Sequence, residues 1–184
     1  MKNSVRTSLA WSFASRYLTV ALNFTSVVVL ARLLTPEEIG IYSIAVAFFA
    51  IGLIVRDFGI SEYIIQETDL TQEKLSSAFT VSLSICWSLA ILFLLISTSV
   101  SEFYDRPELL QIFNWLVANF ILIPFGTITL SMLKRQMEFK KLLLIEVSSG
   151  ITHTTVGITA AYLGYSYMSL AWASVSGTFT TVFL

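Results

Sequence analysis

Residues 30–41 read Leu30-Ala31-Arg32-Leu33-Leu34-Thr35-Pro36-Glu37-Glu38-Ile39-Gly40-Ile41, a short polar break between two long apolar runs. The break carries helix-start chemistry. Thr35 can cap the following helix, Pro36 fits the first helical position, where its missing N–H costs nothing, and Glu38 stands where a capping-box carboxylate reaches back. The break is too short for a strand or a domain linker. It predicts a tight helical hairpin, and the apolar runs on either side extend from about Leu9 to Leu34 and from Ile39 to Ile65.

The same alternation continues through the chain. Four more apolar segments follow, at about Leu75–Val100, Leu109–Leu133, Leu142–Leu163 and Met168–Leu184. Asp105-Arg106-Pro107-Glu108 starts the fourth segment much as residues 35–38 start the second, and Asp69-Leu70-Thr71-Gln72-Glu73-Lys74 leads into the third. Of the 184 residues, 55% are apolar and 12% charged, and the mean hydropathy is +0.78. A soluble domain carries about twice that share of charge. A membrane helix needs about 20 apolar residues, so the chain reads as an all-α membrane protein of about six transmembrane helices forming one bundle. The first run is too long for the apolar region of a signal peptide and lacks a small-residue cleavage site. The last run has about 17 residues and no charged flank, which gives the expectation of a chain truncated at its C-terminus.

Charge fixes an orientation and excludes several functions. With the sides counted alternately, Lys2, Arg6, Lys74, Lys134, Arg135, Lys140 and Lys141 fall on one side, and Arg32 and Arg106 on the other. The positive-inside bias predicts a cytoplasmic N-terminus and a basic cytoplasmic loop over residues 133–141. That loop serves as a topology determinant or as a contact for anionic lipid or a phosphate-bearing substrate. The net charge of −1 gives no field for nucleic acid, and the single cysteine, Cys86, excludes an intramolecular disulfide. No metalloprotease, nucleophile-elbow or Walker pattern occurs, nor an Asp-rich loop for diphosphate–metal chemistry. The expectation is therefore a non-enzyme without a cofactor or metal.

Polar residues inside the helices carry the functional signal. Ser12, Arg16, Thr19, Asn23 and Ser26 recur at steps of four and three, on one face of the first helix. Ser43, Ala47, Ala50, Ile54, Asp57 and Ser61 do so in the second. Glu146, Gly150, His153, Gly157, Ala160 and Gly164 form a strip in the fifth, and Ser169, Ala173, Ser176 and Thr180 in the sixth. Such faces turn toward water or protein rather than lipid, and they form either a central cavity or a close helix contact. An arginine at the depth of Arg16, roughly 10 Å in, is costly unless solvated or paired, which favours a cavity there. Asp57 lies at comparable depth and is the expected partner of Arg16. Arg56 points about 100° away from it and can snorkel to the headgroups. A guanidinium in a wet vestibule suits forked recognition of phosphate. Asn23, Asn119 and His153 lie nearer the midplane. The two amides can hydrogen-bond sugar hydroxyls or tie helices together, and His153 can relay protons or bond a neighbouring helix. Pro124-Phe125-Gly126 can bend the fourth helix.

The stretch from Val29 to Tyr42 resembles the A-R-x-L-x-P-x-E-x-G-x-Y signature of Wzx-type polysaccharide flippases, members of the multidrug/oligosaccharidyl-lipid/polysaccharide exporter superfamily. Asp57-Phe58-Gly59-Ile60 with Gln66, and Arg135-Gln136-Met137-Glu138-Phe139, are similar to two further motifs of that family, in the same order. The resemblance implies a MATE-like transporter of two helical bundles, of which this chain is the N-terminal one. It implies translocation of undecaprenyl-diphosphate-linked oligosaccharide across a bacterial inner membrane for lipopolysaccharide or other polysaccharide biosynthesis, with polysaccharide polymerase machinery as a partner. It also implies lumen arginines that hold the anion, the role that Arg16 fits. The alternatives are a drug or cation exporter of the same superfamily, which would favour an acidic cavity, and a non-transporting membrane assembly fragment.

Overall fold

The structure, a computed structural model, describes residues 5–57 and 59–184; the side chains at positions 5–10, 12 and 15 lie outside the described part. The described residues form seven helices: α1 (Val5–Leu33), α2 (Pro36–Arg56), α3 (Ile60–Gln66), α4 (Gln72–Phe103), α5 (Glu108–Arg135), α6 (Phe139–Tyr162) and α7 (Met168–Phe183). The all-α membrane bundle read from the sequence is borne out. Residues 16–33, 36–66, 72–103 and 108–135 are long and apolar enough to cross a bilayer. α6 has the length, with 24 residues, but carries polar groups along one face; α7 has 16 residues and spans about 24 Å.

One expected element divides in two. The apolar run over residues 39–65 is not a single helix, because α2 ends at Arg56 and α3 begins at Ile60. Between them Gly59 adopts φ +75°, a left-handed conformation that an L side chain resists. The chain turns there and lays the short α3 against the end of α5. Arg135 then caps α3. Its Nη1 donates to the carbonyl of Ile64 at 2.8 Å and to that of Glu67, so one guanidinium satisfies carbonyls that the helix end leaves open. Nearby, the Lys74 ammonium lies 3.0 Å from Glu67 and, by hydrogen bonding, holds its carboxyl below the usual carboxylate range.

The capping box of residues 35–38 forms as read. The Glu38 N–H donates to Thr35 Oγ1 at 3.3 Å, and the Thr35 N–H donates to Glu38 Oε2 at 2.7 Å. The two carboxylates also gather the other turns at that end of the bundle. Glu37 pairs with Arg106 of the α4–α5 turn at 2.6 Å, and Glu38 accepts a hydrogen bond from Ser166 of the α6–α7 turn. The hairpin motif thus ties the three helical hairpins together at one end. The α4–α5, α5–α6 and α6–α7 turns each leave their helix through a left-handed residue, Asp105, Met137 and Gly164 respectively, with paired bonds back to the last turn.

α5 sits centrally and packs against α2, α3, α4, α6 and α7, while α1 lies chiefly along α6. The core between α2, α4 and α5 is aromatic. The Phe120 ring lies 4.5 Å from that of Phe49 and 5.2 Å from that of Phe93, centroid to centroid, and Phe113 stacks on Phe93 at 6.0 Å. Gly52 admits these rings. The buried face of α2 is therefore Ile41, Ala45, Phe49 and Gly52. Of the stripe expected to turn inward, Ala47, Ala50 and Ile54 are exposed, and only Ser61, on α3, reaches the cavity. Phe49 buries more apolar area among the rings of α4 and α5 than alanines can, and it sets the rotation of α2.

Candidate functional site

A cavity of about 980 Å³ opens among α1, α5, α6 and α7, farther along α5 than the aromatic core, toward its C-terminal end. It runs from the end of the bundle holding the α5–α6 turn to mid-bundle. That size lies at the upper end of ligand pockets. α1 contributes Arg16, Thr19 and Asn23, the polar stripe read from the sequence. Ser26, one turn farther on, is buried in packing instead, and Ser12 falls among the side chains outside the described part. α6 contributes Glu146, Ser149, Gly150 and His153. Its strip then changes character: a Cβ placed on Gly157 would stand 3.1 Å from the Ala173 Cβ, so this glycine serves helix contact. Gly164 lies beyond α6, in the turn.

α7 presents a different face from the one expected. Ser169 and Ala173 are fully buried in helix packing, while Ser174, Gly177, Thr178 and Thr181 line the cavity. The two candidate faces share the same spacing and similar residues, so the sequence did not separate them. Contacts with α5 and α6 do: Asn119 Nδ2 donates to Ser174 Oγ at 3.3 Å, and Ser149 Oγ donates to the Gly177 carbonyl at 2.8 Å. Asn119 itself does not line the cavity; it is buried behind Ser174, with its Oδ1 unbonded among the described residues. α5 runs through Pro124 as one helix and adds Gly126, Thr127, Ser131 and Lys134 to the wall.

The charge arrangement corrects one expectation. Asp57 does not pair with Arg16. Its carboxylate is taken by the adjacent Arg56, whose Nε lies 2.8 Å from Asp57 Oδ1. The 100° separation of neighbours holds inside a helix, but Asp57 is the C-cap of α2, and the chain has already left the helical path toward Gly59. Asp57 is exposed outside the cavity lining, whereas Arg56 is in it, beside Ser61 of α3. Lys134, part of the basic loop, also lines it. Three cations from three helices, Arg16, Arg56 and Lys134, thus stand around one mouth, with Glu146 as the single lining carboxylate among the described residues. At the ends of helices, long basic side chains reach a vestibule that periodicity alone does not assign to them.

Chemically the cavity has two parts. The mouth offers guanidinium and ammonium donors, a setting for an anion with several oxygens. Deeper in, Asn23, Ser149, His153, Ser174, Thr178 and Thr181 supply neutral hydrogen-bonding groups. Among the described residues no cluster of three or more His, Cys, Asp and Glu is placed to hold a metal.

Residues 29–184 match a family described as polysaccharide biosynthesis protein. The lipopolysaccharide biosynthesis protein WzxC of Escherichia coli K12 is 22% identical over 91% of this chain and 33% of its own length. The succinoglycan biosynthesis transport protein ExoT of Rhizobium meliloti is 26% identical over 91% of this chain and 34% of its own. An uncharacterized membrane protein in the cps region of Klebsiella pneumoniae is 28% identical over 79% of this chain and 30% of its own. The chain therefore spans about a third of the length of these curated relatives. No solved structure matches.

Proposed function

This chain belongs to the polysaccharide biosynthesis protein family, and from that premise we propose that it forms the N-terminal bundle of a longer two-bundle transporter that flips undecaprenyl-diphosphate-linked oligosaccharide across a bacterial inner membrane. The observation that carries this reading is the placement of Arg16, Arg56 and Lys134 around one cavity mouth. The diphosphate is held there by charge-assisted hydrogen bonds, and the saccharide enters the neutral part of the cavity beyond it. The N-terminus is cytoplasmic, which puts the mouth on the leaflet where the lipid-linked saccharide is loaded. Alternating access then carries the headgroup across while the polyprenyl chain stays in lipid. The polymerase that extends the saccharide is a partner on the far side.

A drug or cation exporter would need an acidic cavity, and one lining carboxylate against three cations does not supply it. The test is polysaccharide export in cells that depend on this protein. Arg16→Ala should reduce export at least tenfold at unchanged protein level, and Arg16→Lys should retain part of it, because the charge remains while the fork is lost. Export at the parent level with both variants would sink the reading.

A further inference from the structure

The neutral part of the cavity has a hydrogen-bond polarity of its own. Ser149 Oγ donates its only proton to the Gly177 carbonyl at 2.8 Å. Thr181 Oγ1 donates to Ser149 Oγ at 2.8 Å or to the same carbonyl at 3.0 Å. A hydroxyl has one proton and two lone pairs. Both protons are therefore turned into the α6–α7 contact, and both residues show the cavity lone pairs alone. Gly177 makes the knot possible: a Cβ there would stand 3.3 Å from the His153 Cβ and 3.5 Å from Ser149 Oγ, so a larger residue would push α7 off α6.

The knot is also displaced from the cations. Leu22 of α1 meets the position of a Cβ on Gly150 at 3.1 Å, which sets Ser149 near the level of Leu22. Arg16 is six residues earlier, about 9 Å lower along α1. An anion held at the mouth thus leaves the next chemical group of the ligand at the knot.

We infer that the Ser149–Gly177–Thr181 knot is the specificity element for the first sugar, admitting a neutral sugar and rejecting an acidic one. This rests on the flippase reading above. Neutral sugar hydroxyls bring protons to the lone pairs of Ser149 and Thr181 and satisfy Asn23 and His153 in turn. A carboxylate brings none, and it would sit buried against acceptor oxygens, where an unmatched charge is most costly. Buried polar groups left unpaired are what give a hydrogen-bonding site its large discrimination.

The test is binding by the purified protein in lipid nanodiscs to three short-chain polyprenyl diphosphates: bare, bearing N-acetylglucosamine, and bearing glucuronic acid. The parent protein should bind the neutral-sugar lipid at least tenfold more tightly than the acidic one. Ser149→Ala combined with Thr181→Val should bring the neutral-sugar lipid to within twofold of the bare lipid. Thr181→Ser, which keeps the hydroxyl, should restore discrimination when it replaces Thr181→Val. Equal parent affinity for the two sugar lipids overturns the inference alone. So does an equal loss of all three lipids in the double variant. No binding of any of the three, or bare-lipid binding indifferent to Arg16→Ala, overturns the flippase reading with it.

Discussion

Gly52→Ala tests the packing that sets α2 against α4 and α5. A Cβ at position 52 would stand 2.6 Å from Phe120 Cζ and 2.9 Å from Phe93 Cε2. Carbon atoms pack best at about 3.5–4.0 Å, so the overlap approaches an ångström. The rings have little room to yield. Phe120 is 0% and Phe93 5% exposed, Phe49 lies 4.5 Å from Phe120, and Phe113 stacks on Phe93. Overpacking of this kind costs about 1–3 kcal/mol. Alanine also gains about 0.8–1.0 kcal/mol over glycine in a helix, which offsets part of the loss. Gly40, in the same helix, has nothing within 4 Å of its Cβ position, so Gly40→Ala isolates the helical gain. The difference between the two variants is the steric term alone, about 1–3 kcal/mol in favour of Gly40→Ala. Unfolding of the detergent-solubilised protein by dodecyl sulfate, followed by tryptophan fluorescence, measures it. Adding Phe120→Leu to Gly52→Ala removes the nearest ring atom and should show favourable coupling of about 0.5–3 kcal/mol. If Gly52→Ala stabilises as much as Gly40→Ala, or the coupling is zero, the aromatic cage is not what sets α2 against α5.

Other expectations follow from single residues. Met137 has φ +55° and an exposed side chain, so Met137→Gly should remove about 1–2 kcal/mol of left-handed strain, offset in part by backbone entropy, and raise the dodecyl sulfate midpoint. Arg135→Ala should free α3 and raise amide hydrogen exchange over residues 60–66 at least tenfold, with Arg135→Lys intermediate; unchanged exchange would show that the guanidinium does not cap that helix. In a Cys86→Ser background, a membrane-impermeant thiol reagent added to intact cells should label Tyr104→Cys and spare Leu70→Cys, and the reverse pattern would invert the orientation.

The Thr35–Glu38 box was legible because capping is local: the groups that bond are three residues apart, and any helix starting there would use them. The α1 stripe was legible for a similar reason, since periodicity places Arg16, Thr19 and Asn23 on one face whatever lies opposite. The α2 stripe failed by the same rule. Its small and polar residues were read as inward, but Phe49 of that helix had more area to bury and turned Ala47, Ala50 and Ile54 out. The Arg16–Asp57 pair failed because helical angles were extended one residue past the end of a helix.

By itself, then, the sequence determined the membrane, the helical hairpins and their caps, the charge asymmetry and the resemblance to a family of exporters, because each depends on composition or on residues a few positions apart. It did not determine which of two similar faces of α7 meets the cavity, that Arg56 and Lys134 join Arg16 there, or that Ser149 and Thr181 turn their protons into the α6–α7 contact. Those depend on how α1, α5, α6 and α7 rotate and approach one another. That rotation is set by glycines at contacts and rings in a core, across separations of tens of residues that no local pattern encodes.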